Sequence, residues 1–240
     1  MSVALVTGGS RGIGRAVVQR LAEDGFDIAF TFKENTAAAE EATAAVTASG
    51  RRALALQVDA ADPDRMRGIV QTVIDTLGPI TVLVNNAGAG EARPLADITT
   101  QEIQQNATIN FVTPFVLMQE AAKSMRPGGR IVAISTSLTS LLLPGTALGT
   151  PAKLAGEALT AIAAKEFGPL GITVNAIAAG ATDTEGFRAS SGHMRGAMEA
   201  SSPFGRLGRP EEIAAAVAFL VGPDGQWVSG QTVRVNGALV

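Results

Sequence analysis

Short, almost wholly apolar runs alternate with longer amphipathic or alanine-rich stretches from one end of the 240-residue chain to the other. This alternation leaves few folds open. The runs at 3–7, 27–32, 53–58, 80–85, 130–135, 172–177 and 232–235 have the brevity and continuous apolarity of strands covered on both faces. Between them, 14–24, 37–48, 63–77, 101–124, 151–167 and 210–220 read as helices. Strands that alternate with helices predict right-handed βαβ units and a parallel, doubly wound α/β sheet with helices on both faces. No linker, repeat or charge block interrupts the pattern, so a single domain is expected over 1–240. Pro151 and Pro210 read as first-turn prolines, with Thr150 as the N-cap of the former. The segment around 180–208 departs from the pattern, being Gly/Ser-rich, weakly periodic and long for a connection. It is read as a substrate lid.

Composition removes several function classes. A net charge of −3 argues against a nucleic-acid partner, which calls for a basic stripe. With no cysteine there is neither a disulfide nor a thiolate metal site, and the one histidine, His193, builds no histidine cluster. No apolar segment approaches the roughly 20 residues that cross a bilayer. The opening MSVALVTGG has no basic region ahead of a long apolar run, so no signal peptide is expected. These features point to a cytoplasmic protein without a membrane partner.

The first strand runs into TGGSRGIG, residues 7–14, and then into a helix. Gly8, Gly12 and Gly14 permit a tight turn, close approach of backbone to a pyrophosphate and close helix–sheet packing, with Ser10, Arg11 and Ile13 between them. The helix start offers free N–H groups and the positive end of its dipole. An ordinary strand-to-helix turn can also be glycine-rich; the strand–turn–helix context favours a Rossmann-type dinucleotide site. An acidic residue at the end of the second strand would bond a ribose 2′-hydroxyl. Here that position holds Thr31, with Lys33 just beyond and Arg11 in the glycine turn, cations suited to a 2′-phosphate and so to NADP(H). The plainer reading is two solvated surface cations, and Glu34 complicates the field.

The glycine spacing resembles that of the short-chain dehydrogenase/reductase family, and further segments match that family in order. VDA at 58–60 resembles the adenine-contacting turn, with Asp59 as acceptor. NNAG at 85–88 resembles the segment flanking the cofactor, here Asn86, Ala87 and Gly88. GITVNAIAAG at 171–180, with Gly180 and the following Thr184, resembles the nicotinamide-side segment, although Ala179 stands where Pro is usual. GRLGRPEEIA and SGQTVRVNG resemble the C-terminal quarter of the 3-oxoacyl-[acyl-carrier-protein] reductase branch.

The resemblance implies a Ser, Tyr, Lys and Asn catalytic set acting on a small-molecule carbonyl or alcohol. Asn110 matches the asparagine, and Thr136 takes the serine position, with Ser135 and Ser137 as neighbours able to substitute. Lys153 matches the lysine that lowers the phenol pKa and binds the nicotinamide ribose. Thirteen residues past Thr136, at the tyrosine position, stands Gly149, and no shifted alignment repairs this because the chain has no tyrosine. Losing a positioned general acid typically costs roughly 10²–10⁴-fold. Expected, then, is an NADP(H)-dependent oxidoreductase interconverting a carbonyl and an alcohol with impaired or altered activity, water or Lys153 supplying the proton. The other readings are a non-catalytic NADP(H)-binding or regulatory protein, or an engineered variant of a tyrosine-bearing parent. The resemblance also implies a homotetramer paired through helices matching 101–124 and 151–167 and through the C-terminal strand. Leu138, Leu141, Leu142 and Leu143 suggest either an apolar substrate wall or packing.

Overall fold

The computed structural model of the chain describes residues 2–240. β1 (Val3–Val6), β2 (Asp27–Phe32), β3 (Ala53–Gln57), β4 (Ile80–Asn85), β5 (Arg130–Thr136), β6 (Thr173–Ala179) and β7 (Thr232–Val235) form one sheet in the order β3-β2-β1-β4-β5-β6-β7. Every pairing is parallel. The order reverses between β1 and β4, so the crevice for a ligand opens at the C-terminal ends of these strands.

The helices are α1 (Gly12–Glu23), α2 (Thr36–Ala48), α3 (Pro63–Leu77), α4 (Thr100–Ala107), α5 (Thr113–Ser124), α6 (Leu138–Leu141), α7 (Thr150–Phe167), α8 (Glu185–Ser191), α9 (Arg195–Ser201) and α10 (Pro210–Val221). The helix α3 shows why sequence and element agree. Asp62 caps it by accepting the Arg65 N–H, Pro63 sits in its first turn, and Met66, Ile69, Val70, Val73 and Leu77 form its buried stripe. Residues from α1, α2 and α10 cover one face of the sheet, including Val17, Leu21, Val46 and Val217. Those from α3, α5 and α7 cover the other, including Met66, Val73, Leu117 and Ala163. Strands β2 and β6 are buried at every position, as covering on both faces requires.

Three expectations need correction. The stretch 101–124 is not one helix: a π turn, Thr108–Val112, separates α4 from α5. Pro114 supplies the reason, because it has no N–H to offer the Asn110 carbonyl four residues back and its ring crowds that carbonyl. Thr150 is not the cap of α7; Gly149 is, with Thr150 the first helical residue. The segment 180–208 is not irregular, since it contains α8, a 3₁₀ turn at Gly192–Met194 and α9, each too short to show a periodicity. Among the described residues no helix is long and apolar enough to cross a membrane, and no cluster of metal ligands forms. Trp227, in the turn ahead of β7, is 99% exposed.

Candidate active site

The turn between β1 and α1 is fixed by its backbone. Gly8 and Gly12 have φ of +66° and +55°, the left-handed region that glycine enters without strain. A Cβ on Gly14 would collide with the Gly8 carbonyl, and one on Gly9 would stand 2.6 Å from Phe30 Cβ. Gly9 thus joins the glycines read from the sequence as a close-approach position. Ser10 is buried, Ile13 packs against the core and Arg11 precedes α1 in extended backbone, exposed. Two threonines tie the turn down, in roles the sequence reading did not give them. Thr7 Oγ1 accepts the N–H groups of Asn86 and Ala87, both at 2.9 Å, while Asn86 Nδ2 donates to Thr7 O at 2.8 Å. Thr31 Oγ1 accepts the Gly8 N–H at 3.1 Å. The side chain of Thr31 therefore serves the turn, and the charges for a ribose must come from its neighbours.

Those neighbours are partly paired already. Lys33 Nζ lies 3.2 Å from Asp59 Oδ2 and 3.6 Å from Glu34. These carboxylates, Asp59 first, hold the ammonium above the ordinary lysine range. Asp59 Oδ1 accepts the Ala61 N–H at 2.9 Å. Arg11 has no ion-pair partner among the described residues. At the start of α1, the Gly12 N–H donates to Glu185 Oε2 at 3.1 Å. The chain's own carboxylate thus occupies a place that suits an anion. Thr184 lies against the same turn, since a Cβ on Gly12 would meet its Cγ2 at 3.2 Å. Gly180 is required by packing, because a Cβ there would stand 2.8 Å from Asn236 Cα.

A second group of residues gathers where β4, α4 and α7 converge. Lys153, in the first turn of α7, donates from Nζ to Ile134 O at 2.8 Å. Burial pushes this lysine down to about 8, and the positive end of the α7 dipole acts in the same direction. A Cβ on Gly88 would lie 3.1 Å from Asn110 Oδ1 and 3.2 Å from Lys153 Nζ, so Gly88, Asn110 and Lys153 do meet. Gly149 has φ −106°, and a Cβ there would make an ordinary contact with Ala89 O at 3.4 Å. Thr136 ends β5, half-buried; its Oγ1 accepts the Leu138 N–H at 3.2 Å, leaving the hydroxyl proton available. The neighbouring serines are not substitutes. Ser135 Oγ is bound to Glu157, which also accepts from Thr139, and Ser137 Oγ lies between Ala178 O and Asn236 Nδ2. Leu142 and Leu143 are exposed, whereas Leu138 and Leu141 are half-buried. His193 is exposed in the turn between α8 and α9.

A family model described as enoyl-(acyl carrier protein) reductase matches residues 8–239, nearly the whole chain. The chain belongs to the short-chain dehydrogenase/reductase family. Within it, the chain is 34% identical to a 3-oxoacyl-[acyl-carrier-protein] reductase of Staphylococcus aureus, over 98% of this chain and 97% of the relative. Among solved structures it is similar to a short-chain dehydrogenase from Burkholderia cenocepacia in complex with NADP, with TM-score 0.95 and 38% identity over 99% and 97% of the two chains. A blue fluorescent protein from a metagenomic library, in complex with NADPH, gives TM-score 0.96 and 41% identity over 100% and 98%. This short-chain dehydrogenase/reductase carries Gly8, Gly9, Gly12 and Gly14 in the turn after β1 and has no tyrosine.

Proposed function

We propose that the protein is an NADP(H)-dependent oxidoreductase that interconverts a small-molecule carbonyl and its alcohol, with activity lowered by the missing phenol. The observation that carries this reading is the meeting of Gly88, Asn110 and Lys153 beside an intact glycine cradle. The cradle fits a dinucleotide: its close-approach positions leave no room for a Cβ, and the start of α1 already holds an anion in Glu185. Gly8, Ser10, Arg11, Gly12, Ile13 and Gly14 would hold the pyrophosphate side. Arg11 and Lys33 would hold the 2′-phosphate, with Asp59 facing the adenine. Asn86, Ala87, Gly88, Gly180 and Thr184 would line the nicotinamide side, and Lys153 its ribose. The bound cofactor supplies a hydride to the carbonyl carbon. Thr136 donates its free hydroxyl proton as a hydrogen bond to the carbonyl oxygen and polarises it. The Lys153 ammonium, directly or through a water in the space beside Gly149, gives the oxygen its proton.

Calorimetric titration with NADPH and NADH, followed by NADPH oxidation against a panel of carbonyls, tests the reading. NADPH binds more tightly, and reduction is slow, falling as pH rises through about 8 while Lys153 loses its proton. Equal cofactor affinities would sink the charge argument. Tight NADPH binding with no turnover on any carbonyl would favour a non-catalytic NADP(H)-binding protein, which the absence of tyrosine makes the one serious rival. With the main reading go a cytoplasmic location and a homotetramer paired through α4, α5 and α7 and through β7. Light scattering that shows a monomer at micromolar concentration would contradict the assembly.

A further inference from the structure

Asn106 belongs to none of the sequence motifs, yet it is 4% exposed and its carboxamide is engaged at both ends. Nδ2 donates to Ala89 O at 3.0 Å, and Oδ1 accepts from Asn110 Nδ2 at 2.8 Å. Asn110 Nδ2 donates to the same Ala89 carbonyl at 2.7 Å and to Asn106 O at 3.1 Å, and Asn110 Oδ1 accepts the Ala89 N–H at 3.3 Å. Two carboxamides one turn apart therefore close on a single residue of the segment after β4. That residue and its predecessor form the wall of the catalytic group. Gly88 stands between Asn110 Oδ1 and Lys153 Nζ, and Ala89 O is the nearest atom to a Cβ on Gly149.

A buried carboxamide costs free energy unless it is hydrogen-bonded, so packing alone would favour a leucine at this place. What Asn106 adds is direction. It uses the amide hydrogens of Asn110 and so points the Asn110 oxygen toward Gly88 and Lys153.

We infer that Asn106 is a positioning residue, holding the Asn110 carboxamide and the 88–90 segment against Lys153. The inference deepens the oxidoreductase reading and rests on it only where turnover is measured. With Asn106 in place, the 88–90 segment shields its own side of the lysine ammonium from water. Among the described residues no ion pair involves Lys153, and Glu157, four residues further along α7, is taken up by Ser135 and Thr139. Enclosure by this wall is thus the influence that Asn106 controls.

The test is Asn106→Leu, which keeps the branched outline and removes both side-chain hydrogen bonds, with Asn106→Ala as the second variant should the leucine disturb folding. The readout is the titration of Lys153 in the cofactor-free protein, followed by NMR of its ε-carbon and assigned with Lys153→Met. The midpoint moves up from about 8 toward the ordinary lysine value of 10.5, by about half a unit or more, as water reaches the ammonium. Val73→Ala, a fully buried site on α3, controls for lost stability and leaves the midpoint in place. An unmoved midpoint in both Asn106 variants, or an equal shift in Val73→Ala, overturns the inference. On a carbonyl that the parent reduces, kcat falls about tenfold with KM within about twofold, as loss of an interaction made in the transition state requires. A parent with no turnover ends the oxidoreductase reading and leaves the lysine titration to decide the role of Asn106.

Discussion

At the end of β1 the cleft is made of backbone, whereas between β4 and α7 it is made of side chains. The glycine turn depends on two left-handed residues, two positions without room for a Cβ, and N–H groups held by Thr7 and Thr31. The proposed catalytic end gathers one lysine, two asparagines and one threonine hydroxyl, and the chain has no tyrosine to add a phenol. A cradle of backbone keeps its function as long as the chain folds the same way. A site of side chains can be altered by a single substitution while the fold stays as it was.

The sharpest test of that contrast is Gly149→Tyr. Position 149 has an ordinary negative φ and an unobstructed Cβ direction, so the side chain enters without backbone strain. The phenol would stand at the cap of α7, four residues before Lys153, near enough for the ammonium to favour its ionised form. Carbonyl reduction should rise by roughly 10²–10⁴-fold, with little change in NADPH affinity. Steady-state rates for both proteins on the same panel check it. If the variant folds, binds NADPH and gains nothing, the catalytic end lacks more than one side chain.

A smaller effect is expected at the backbone end. Gly14→Ala drives a Cβ into the Gly8 carbonyl and should weaken NADPH binding by about 10- to 100-fold, the equivalent of overpacking by a few kcal/mol. Gly68→Ala on α3, where a Cβ meets nothing within 4 Å, leaves the affinity as it was. Calorimetry on the pair decides whether the cradle is as intolerant as its geometry implies.

How much of this was legible depended on the distance between partners. The strand and helix alternation and the glycine turn are local patterns, and the fold follows from them, whereas Asn110, Thr136, Gly149 and Lys153 were placed by the family resemblance. The break between α4 and α5 was also local, since Pro114 sits four residues after Asn110, but an unbroken apolar periodicity masked it. Thr7 with Asn86, and Gly12 with Glu185, are 79 and 173 residues apart, and no spacing rule links them. Asn106 is 17 residues from Ala89 and was hidden by lying outside any motif. In each case the bonding partner is a backbone group, which carries no residue identity for a sequence pattern to show.

The smallest predicted effect concerns one of these long-range contacts. Glu185→Gln removes a negative charge from the start of α1 while keeping a hydrogen-bonding oxygen. NADPH should bind about two- to fivefold more tightly, the size of a single charge at a helix terminus. Unchanged or weaker binding would make Glu185 a cap that holds α8 down, and the cradle would then be free of an internal competitor.

Trp227 has an optical consequence. With no tyrosine and a single tryptophan in the chain, near-ultraviolet emission comes from one place, the turn ahead of β7. Its full exposure sets the colour of that emission at the solvent-relaxed, red end. A copy of the chain that settles over this edge would shift the emission to shorter wavelength, so pairing through β7 is readable without a label, a dye or a mutation.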